Sequence, residues 1–312
     1  MKALITGGKG FVGSHLAAEL EANGYEVVCC DLFATDKIVA MDIMNPEMVL
    51  DILSEYKPDV LINMAGQANV GLSWKKPQLT VSLNTIGLIN ILEAVRAVDP
   101  SMRVITIGSS DEYGSLGERG ANVTEDMPVN PMTPYAISKS AQDKFAQLYT
   151  RAYGMNVCMI RFFNLVGPGQ AKGFMVPDFA SGIVEVERGE KEYLSVGNLE
   201  SARDFTHVRD AVRAVRLVAE KGHAGEIYNI CSGKTYTAQQ ILDKAVVEAN
   251  TVRQSAMEYT DDLLAHAQGV LGQLLDSTKM RYESYVGTMS ETYNMIVQNR
   301  QELNPDNQNG EE

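Results

Sequence analysis

The chain has 312 residues, enough for one large domain or two modest ones, and its 45% hydrophobic and 21% charged residues are the ordinary balance of a globular protein. A net charge of −13 disfavours nucleic acid and anionic membrane as partners, while leaving room for a local basic pocket that takes a phosphate. Cys29, Cys30, Cys158 and Cys231 have neither metal spacing nor a disulfide framework, the first residues reach glycines too soon for a leader, and no apolar run reads as long enough to span a bilayer; the expectation is a cytoplasmic protein without a metal site.

Residues 2–6 read as a short buried strand, followed by Gly7-Gly8-Lys9-Gly10-Phe11-Val12-Gly13 and a good helix. Glycines at 7, 10 and 13, or at 8, 10 and 13, allow a tight turn in which backbone N–H groups approach a pyrophosphate at the helix N-terminus. Gly7, Gly10, Phe11, Val12 and Gly13 are therefore candidate cofactor contacts. The next strand, Glu26 to Cys30, runs into Asp31, where a carboxylate can bind a ribose 2′-hydroxyl. The expected cofactor is NAD(H) or NADP(H). Asp31 repels a 2′-phosphate and leans the choice to NAD(H); Lys37 keeps NADP(H) open. Asp42, with Ile43, either caps an adenine or opens the turn before a helix over 46–55.

Residues 58–67 read as a buried strand that ends in Ala65, Gly66 and Gln67, small enough for a cofactor to lie against its edge. A long helix is expected over 78–97, with Asn84 inside it among apolar neighbours; a buried asparagine needs partners, whether it braces the site or only the fold. The strand Arg103 to Gly108 leads to Ser109-Ser110-Asp111-Glu112-Tyr113-Gly114. Ser109, at a central strand end, is placed to hydrogen-bond a substrate carbonyl, although such composition also makes a plain turn. A loop over 115–133 precedes Met132-Thr133-Pro134-Tyr135-Ala136-Ile137-Ser138-Lys139, where proline suits the first turn of a helix over 134–153. Tyr135 and Lys139 then share one helix face, and an ammonium beside a phenol favours its ionisation. Of 13 tyrosines, only Tyr135 has a lysine four residues on. Taken alone, the pair also fits a surface tyrosine near a surface lysine. A strand over 155–161 closes an alternation of strands and helices, the pattern of a doubly wound parallel α/β sheet.

Thr6-Gly7-x-x-Gly10-x-x-Gly13, Asp31, Ser109, Tyr135-x-x-x-Lys139 and Arg161-x-x-Asn164-x-x-Gly167-Pro168 occur in an order that resembles the extended short-chain dehydrogenase/reductase family. The segments 163–170, 177–180, 196–205 and 228–233 are most similar to its GDP-mannose branch. The resemblance implies a Rossmann domain over 1–161, a smaller substrate-binding region over 162–245, and a catalytic set of Ser109, Tyr135 and Lys139. It implies that Tyr135 protonates a sugar C4 oxygen, Lys139 tunes the tyrosine and holds the nicotinamide ribose, and Ser109 binds the same oxygen. Asn164 is expected to contact the sugar diphosphate. Arg203 is expected to face the nucleotide, unless it only pairs with Glu200 or Asp204. The implied reaction is NAD(P)H-dependent reduction of the 4-keto group of a GDP-4-keto-6-deoxyhexose to GDP-D-rhamnose. Dehydratases of the branch carry a glutamate where this chain has Asp111, a possible acid/base; 4,6-dehydration and 4-epimerisation are the neighbouring alternatives. A non-catalytic dinucleotide-binding scaffold is the alternative of another class.

After about Lys244 the resemblance ends. Residues 246–303 read as coiled-coil-like helix, with Val252, Ala256, Tyr259, Leu263, Ala267, Val270 and Leu274 at three- and four-residue steps, resumed by Tyr282, Tyr285, Met289, Tyr293 and Ile296. Such a segment is expected to serve self-association, as a homodimer or higher homo-oligomer, or docking rather than chemistry. The polar tail, 304–312, is expected to be disordered.

Overall fold

The structure, a computed structural model, describes residues 1–115 and 123–303. The expected disordered tail and the middle of the 115–133 loop lie outside those residues. Residues Met1–Lys244 pack as one compact unit, and the chain from Ala245 forms a second.

In chain order the first unit holds β1 (Lys2–Thr6), α1 (Phe11–Ala22), β2 (Glu26–Asp31), β3 (Ile38–Ala40), α2 (Pro46–Tyr56), β4 (Val60–Asn63), α3 (Val70–Lys75), α4 (Pro77–Val81), α5 (Gly87–Val98) and β5 (Arg103–Ser109). Then come α6 (Pro134–Tyr153), β6 (Val157–Phe162), β7 (Asn164–Val166), α7 (Met175–Glu187), β8 (Ala202–His207), α8 (Val208–Lys221), β9 (Ile227–Ile230) and β10 (Thr235–Thr237). The helix α9 (Ala238–Leu303) begins in this unit and makes up the described part of the second.

Seven strands form one sheet in the order β3-β2-β1-β4-β5-β6-β9, and every neighbouring pair is parallel. The strand order reverses between β1 and β4, so a crevice opens at their C-terminal ends, where sheets of this kind bind ligands. β9, from beyond residue 161, completes the sheet. A second sheet, β10-β8-β7, pairs β7 with β8 in parallel and β8 with β10 antiparallel.

Side chains alternate across the main sheet, so its two faces fill two cores. Leu4, Leu61, Val104, Val157 and Met159 pack with α2, α5 and α6. Ala3, Ile5, Ile62, Cys158 and Ile160 pack on the other face with α1 and α8. Both faces being covered explains why the strands are apolar runs without polar alternation.

Two expectations need correcting. The helix expected over 78–97 is not regular: Ser82–Ile86 is a π turn between α4 and α5. The run Pro77–Val98 is also long and apolar enough to cross a membrane. Its Leu88, Ile91, Leu92 and Val95 are fully buried in the sheet's core, which accounts for the apolar composition.

Candidate active site

The glycine turn lies between β1 and α1. Gly7 has φ +67°, and a Cβ there would stand 2.9 Å from the Ala65 nitrogen. A Cβ on Gly13 would lie 2.2 Å from the Gly7 carbonyl oxygen, so only glycine lets α1 start this close to the turn. Gly10 is the N-cap residue and supplies no side-chain hydrogen bond, which leaves the first amides of α1 open to an anion. A dinucleotide pyrophosphate fits this cradle. Phe11 and Val12 are half-buried at the start of α1, and Phe11 meets His15 edge-on with centroids 5.7 Å apart. At the end of β2 the Asp31 carboxylate accepts from Lys9 N at 3.0 Å and Leu32 N at 2.8 Å. Each of its oxygens keeps a further lone pair for a ribose hydroxyl.

Asp42 accepts from Met44 N at 2.9 Å and so shapes the turn before α2. Ile43 is buried, close enough to Gly87 that a Cβ there would meet its Cδ1 at 2.6 Å. After β4, Ala65 N donates to Thr6 Oγ1 at 3.1 Å, while Gly66 and Gln67 turn past Asn84.

Asn84 is the brace. It is fully buried in the π turn, accepts from Gln67 N at 2.8 Å, and donates to Gln67 O at 3.0 Å and to Ser138 Oγ at 2.9 Å. Ser138 Oγ donates in turn to Tyr135 O at 2.7 Å, and Thr85 Oγ1 to Ser138 O at 3.2 Å. One polar side chain thereby ties the β4 loop to the helix that bears Tyr135 and Lys139.

That helix begins as expected. Thr133 Oγ1 accepts from Ala136 N at 3.0 Å, Pro134 fills the first turn, and Gly154 closes the end with φ 68°. Tyr135 and Lys139 are buried, not on the surface. Lys139 Nζ donates to Ile107 O at 2.7 Å and lies 5.9 Å from the Tyr135 ring centroid. Burial lowers the lysine to about 8, opposed by Glu112 and Asp143, whose negative charges favour the ammonium. Burial raises the Tyr135 phenol above its usual value, opposed by its hydrogen bond with Ser109. Lys139 is not among the groups that shift the phenol; desolvation, with the charges of Asp111 and Glu112, raises it, and the phenol keeps its proton.

Ser109 ends β5 and caps the short 3-10 turn Ser110–Tyr113: its Oγ accepts from Asp111 N at 3.2 Å. The Glu112 side chain completes a capping box by accepting from Ser109 N at 2.8 Å. Asp111 is half-buried, and its charge raises the Tyr135 pKa.

Behind these residues lies a cluster that the motifs did not reveal. Glu112, Asp143 and Arg161 are all buried. Arg161 Nε donates to Asp143 Oδ2 at 2.9 Å and lies 3.4 Å from Glu112 Oε2, while its guanidinium stacks 4.7 Å from the Tyr113 ring centroid. Two carboxyls share one guanidinium, so burial and the neighbouring Asp143 hold the Glu112 pKa well above the usual carboxylate range. The sequence does carry a signal: Asp143 falls four residues after Lys139 on the same helix face, and Arg161 interrupts an apolar strand.

The remaining expected residues lie in the second sheet. Asn164, on β7, donates to Asp204 O at 3.3 Å. Arg203, on β8, is half-buried and donates to Ala202 O at 2.9 Å. The Asp204 carboxylate accepts from Ser232 N at 2.9 Å and Lys234 N at 3.1 Å, which secures the turn between β9 and β10.

The sequence profile of the GDP-mannose 4,6 dehydratase family matches residues 4–281, further than the motifs alone extend. The chain is 31% identical over 260 residues to GDP-6-deoxy-D-mannose reductase of Pseudomonas aeruginosa, covering 82% of this chain and 84% of that protein. The structure of RMD from Pseudomonas aeruginosa complexed with NADPH superposes with a TM-score of 0.70 at 31% identity, over 78% of this chain and 81% of that one. UDP-glucose 4-epimerase of Thermus thermophilus, solved with NAD, gives a TM-score of 0.70 at 29% identity, over 80% and 84%. With its sheet order, glycine turn and Ser109/Tyr135/Lys139 set, the chain belongs to the GDP-mannose 4,6-dehydratase family of extended short-chain dehydrogenases/reductases, NAD(P)-dependent enzymes that modify nucleotide sugars.

Proposed function

We propose that the protein reduces the 4-keto group of a GDP-4-keto-6-deoxyhexose to give GDP-D-rhamnose. The observation that carries this reading is that Tyr135 and Lys139 are both buried side by side, Lys139 Nζ 5.9 Å from the Tyr135 ring centroid, on the helix that faces the end of β5 where Ser109 lies. Reduced dinucleotide, when bound, supplies the hydride that reaches C4. Tyr135 gives its proton to O4 as the carbonyl becomes an alkoxide, a stronger base than a phenolate, so the transfer stays favourable even though burial makes the phenol a weaker acid. Ser109 Oγ donates to the same oxygen and steadies the developing charge. Lys139, cationic at neutral pH, stabilises the phenolate left behind and offers its remaining N–H groups to the nicotinamide ribose. The cofactor is held by the Gly7–Gly13 cradle and by Asp31, whose carboxylate favours NAD(H) over NADP(H).

A cavity of about 620 Å³ between α7 and the 191–195 segment includes Lys172, Lys191 and Tyr193 in its lining. It shares no lining residue with the Tyr135 site, and we assign it to the nucleoside end of the substrate. Asn164 and Arg203 serve the diphosphate and nucleotide between them.

Asp111 supports 4,6-dehydration as a second reading, because a carboxylate at this position can act as the extra acid/base. It is one methylene shorter than the glutamate of the dehydratases. Glu112 next to it is committed to Ser109 N and Arg161 and does not take its place. This favours reduction.

The test is to mix the purified protein with GDP-4-keto-6-deoxymannose and follow reduced-cofactor absorbance with NADH and NADPH in parallel. Consumption is expected with at least one of them, faster with NADH. No consumption with dinucleotide still bound would refute the reductase and favour the scaffold.

A further inference from the structure

From Ala245 to Leu303 the chain is helix, and its large apolar side chains stand in solvent. Leu263, Leu274, Tyr285 and Ile296 are 54%, 57%, 67% and 54% exposed, and they are spaced eleven residues apart. Eleven residues complete three turns at about 3.67 per turn, so this step keeps side chains on one side of an almost straight helix, with a slight right-handed drift. Their neighbours repeat at the same step: Tyr259 and Val270 on one flank, Leu271, Tyr282 and Tyr293 on the other. At about 98° per residue, the angle of the eleven-residue step, Glu248 precedes Tyr259 on its flank, and no other Asp or Glu from 245 to 303 falls within roughly 70° of the Leu274 direction. Arg281 does fall there, near the middle of the face.

We propose that this face is covered by the same face of a second copy of the chain, paired antiparallel across a two-fold axis at Leu274. Three observations select that occupant. A partner that stays in contact along this length needs the same eleven-residue period, and the chain's own helix carries it. Over residues 253–295, which a two-fold at Leu274 maps onto itself, two copies also meet without bringing any carboxylate into the seam. Finally, about ten large apolar side chains on the face, each with on the order of 100 Å² in solvent, offer about 1,000 Å² per copy, against the roughly 800 Å² per partner of a stable interface.

Arg281 fixes the direction. Parallel pairing in register brings the two Arg281 guanidinium groups together in the seam, where like charges are costly. Antiparallel pairing about Leu274 sets Arg281 against the partner's Ala267, a small side chain that leaves room for it, and Leu263 against the partner's Tyr285. Leu274 then meets the partner's Leu274, as an isologous interface requires.

The test uses the full chain in a Cys231→Ser background, which removes the exposed native thiol. Leu274→Cys under mild oxidation is expected to convert most of the protein to a disulfide-linked dimer, with Arg281→Cys giving at least tenfold less. Equal or greater cross-linking through Arg281→Cys overturns the antiparallel arrangement, and failure of both overturns the pairing. Independently, Leu263→Asp with Leu274→Asp is expected to halve the mass seen by sedimentation equilibrium; an unchanged mass overturns the proposal.

Discussion

Before Lys244, the buried polar side chains of Asn84 and Arg161 meet partners inside the chain: Asn84 holds Gln67 and Ser138, and Arg161 holds Asp143. Large apolar side chains there are mostly covered by the two faces of the sheet. From Ala245 onward the balance reverses, and Leu263, Leu274 and Tyr285 face solvent on a helix with no tertiary core of its own among the described residues. The contrast separates two jobs. The first unit holds the groups proposed for the chemistry, Ser109, Tyr135 and Lys139 among them, so substitutions there should change turnover, cofactor binding or stability. The second carries a face whose complement lies outside it, so substitutions there should change assembly and little else.

The largest expected effect tests the first half of that contrast. Tyr135→Phe should lower turnover by roughly 10²–10⁴-fold, with dinucleotide affinity unchanged in a fluorescence titration. Wild-type-like turnover would remove Tyr135 from the chemistry. Arg161→Met should leave Glu112 and Asp143 as uncompensated buried carboxyls and cost about 3–5 kcal/mol in urea unfolding. A loss within experimental error would show that the cluster is held by other means. Gly13→Ala puts a Cβ 2.2 Å from the Gly7 carbonyl. It should weaken dinucleotide binding about tenfold or more, an outcome that binding calorimetry decides.

A smaller effect concerns pH. Lys139 loses its proton near 8, so activity that needs the ammonium is full below that pH and falls above it. Glu112 favours the charged lysine; Glu112→Gln, which keeps the shape of the capping box, should move this alkaline limb to lower pH. A limb that stays in place, or moves up, contradicts the electrostatic link. The smallest effect tests the second half: Leu263→Asp with Leu274→Asp should leave turnover within about twofold, since the groups proposed for the chemistry all precede Lys244 in the chain. Loss of turnover would mean that assembly supports the site.

How much of this was legible beforehand follows from the range of each interaction. The glycine turn, the Pro134 start and the Tyr135–Lys139 face are local, set by residues a few positions apart, and they read directly from the sequence. Strand alternation and the doubly wound sheet were readable for the same reason. Asn84 was visible as a buried asparagine, but its π turn was not, because a one-residue change of helical register leaves no compositional mark. Glu112 lies inside the Ser109 motif with nothing local to mark its role, because its partners come from α6 and β6. A buried acid makes sense only once Arg161 is brought beside it. Lys139 read as a tyrosine's helper, yet its environment is set by burial, which spacing alone does not give. The apolar run Pro77–Val98 illustrates the converse: its composition suits a bilayer, and only its packing identifies it as the core of a sheet.

The central claim is hydride delivery to C4 of a keto sugar, and isotope transfer tests it most directly. Wild-type enzyme would be given GDP-4-keto-6-deoxymannose with dinucleotide deuterated at the transferred position, and the product examined by NMR. The account predicts deuterium at C4, one cofactor oxidised per sugar reduced, and the stereochemistry of GDP-D-rhamnose. Deuterium at another carbon, or turnover without net cofactor oxidation, would contradict it.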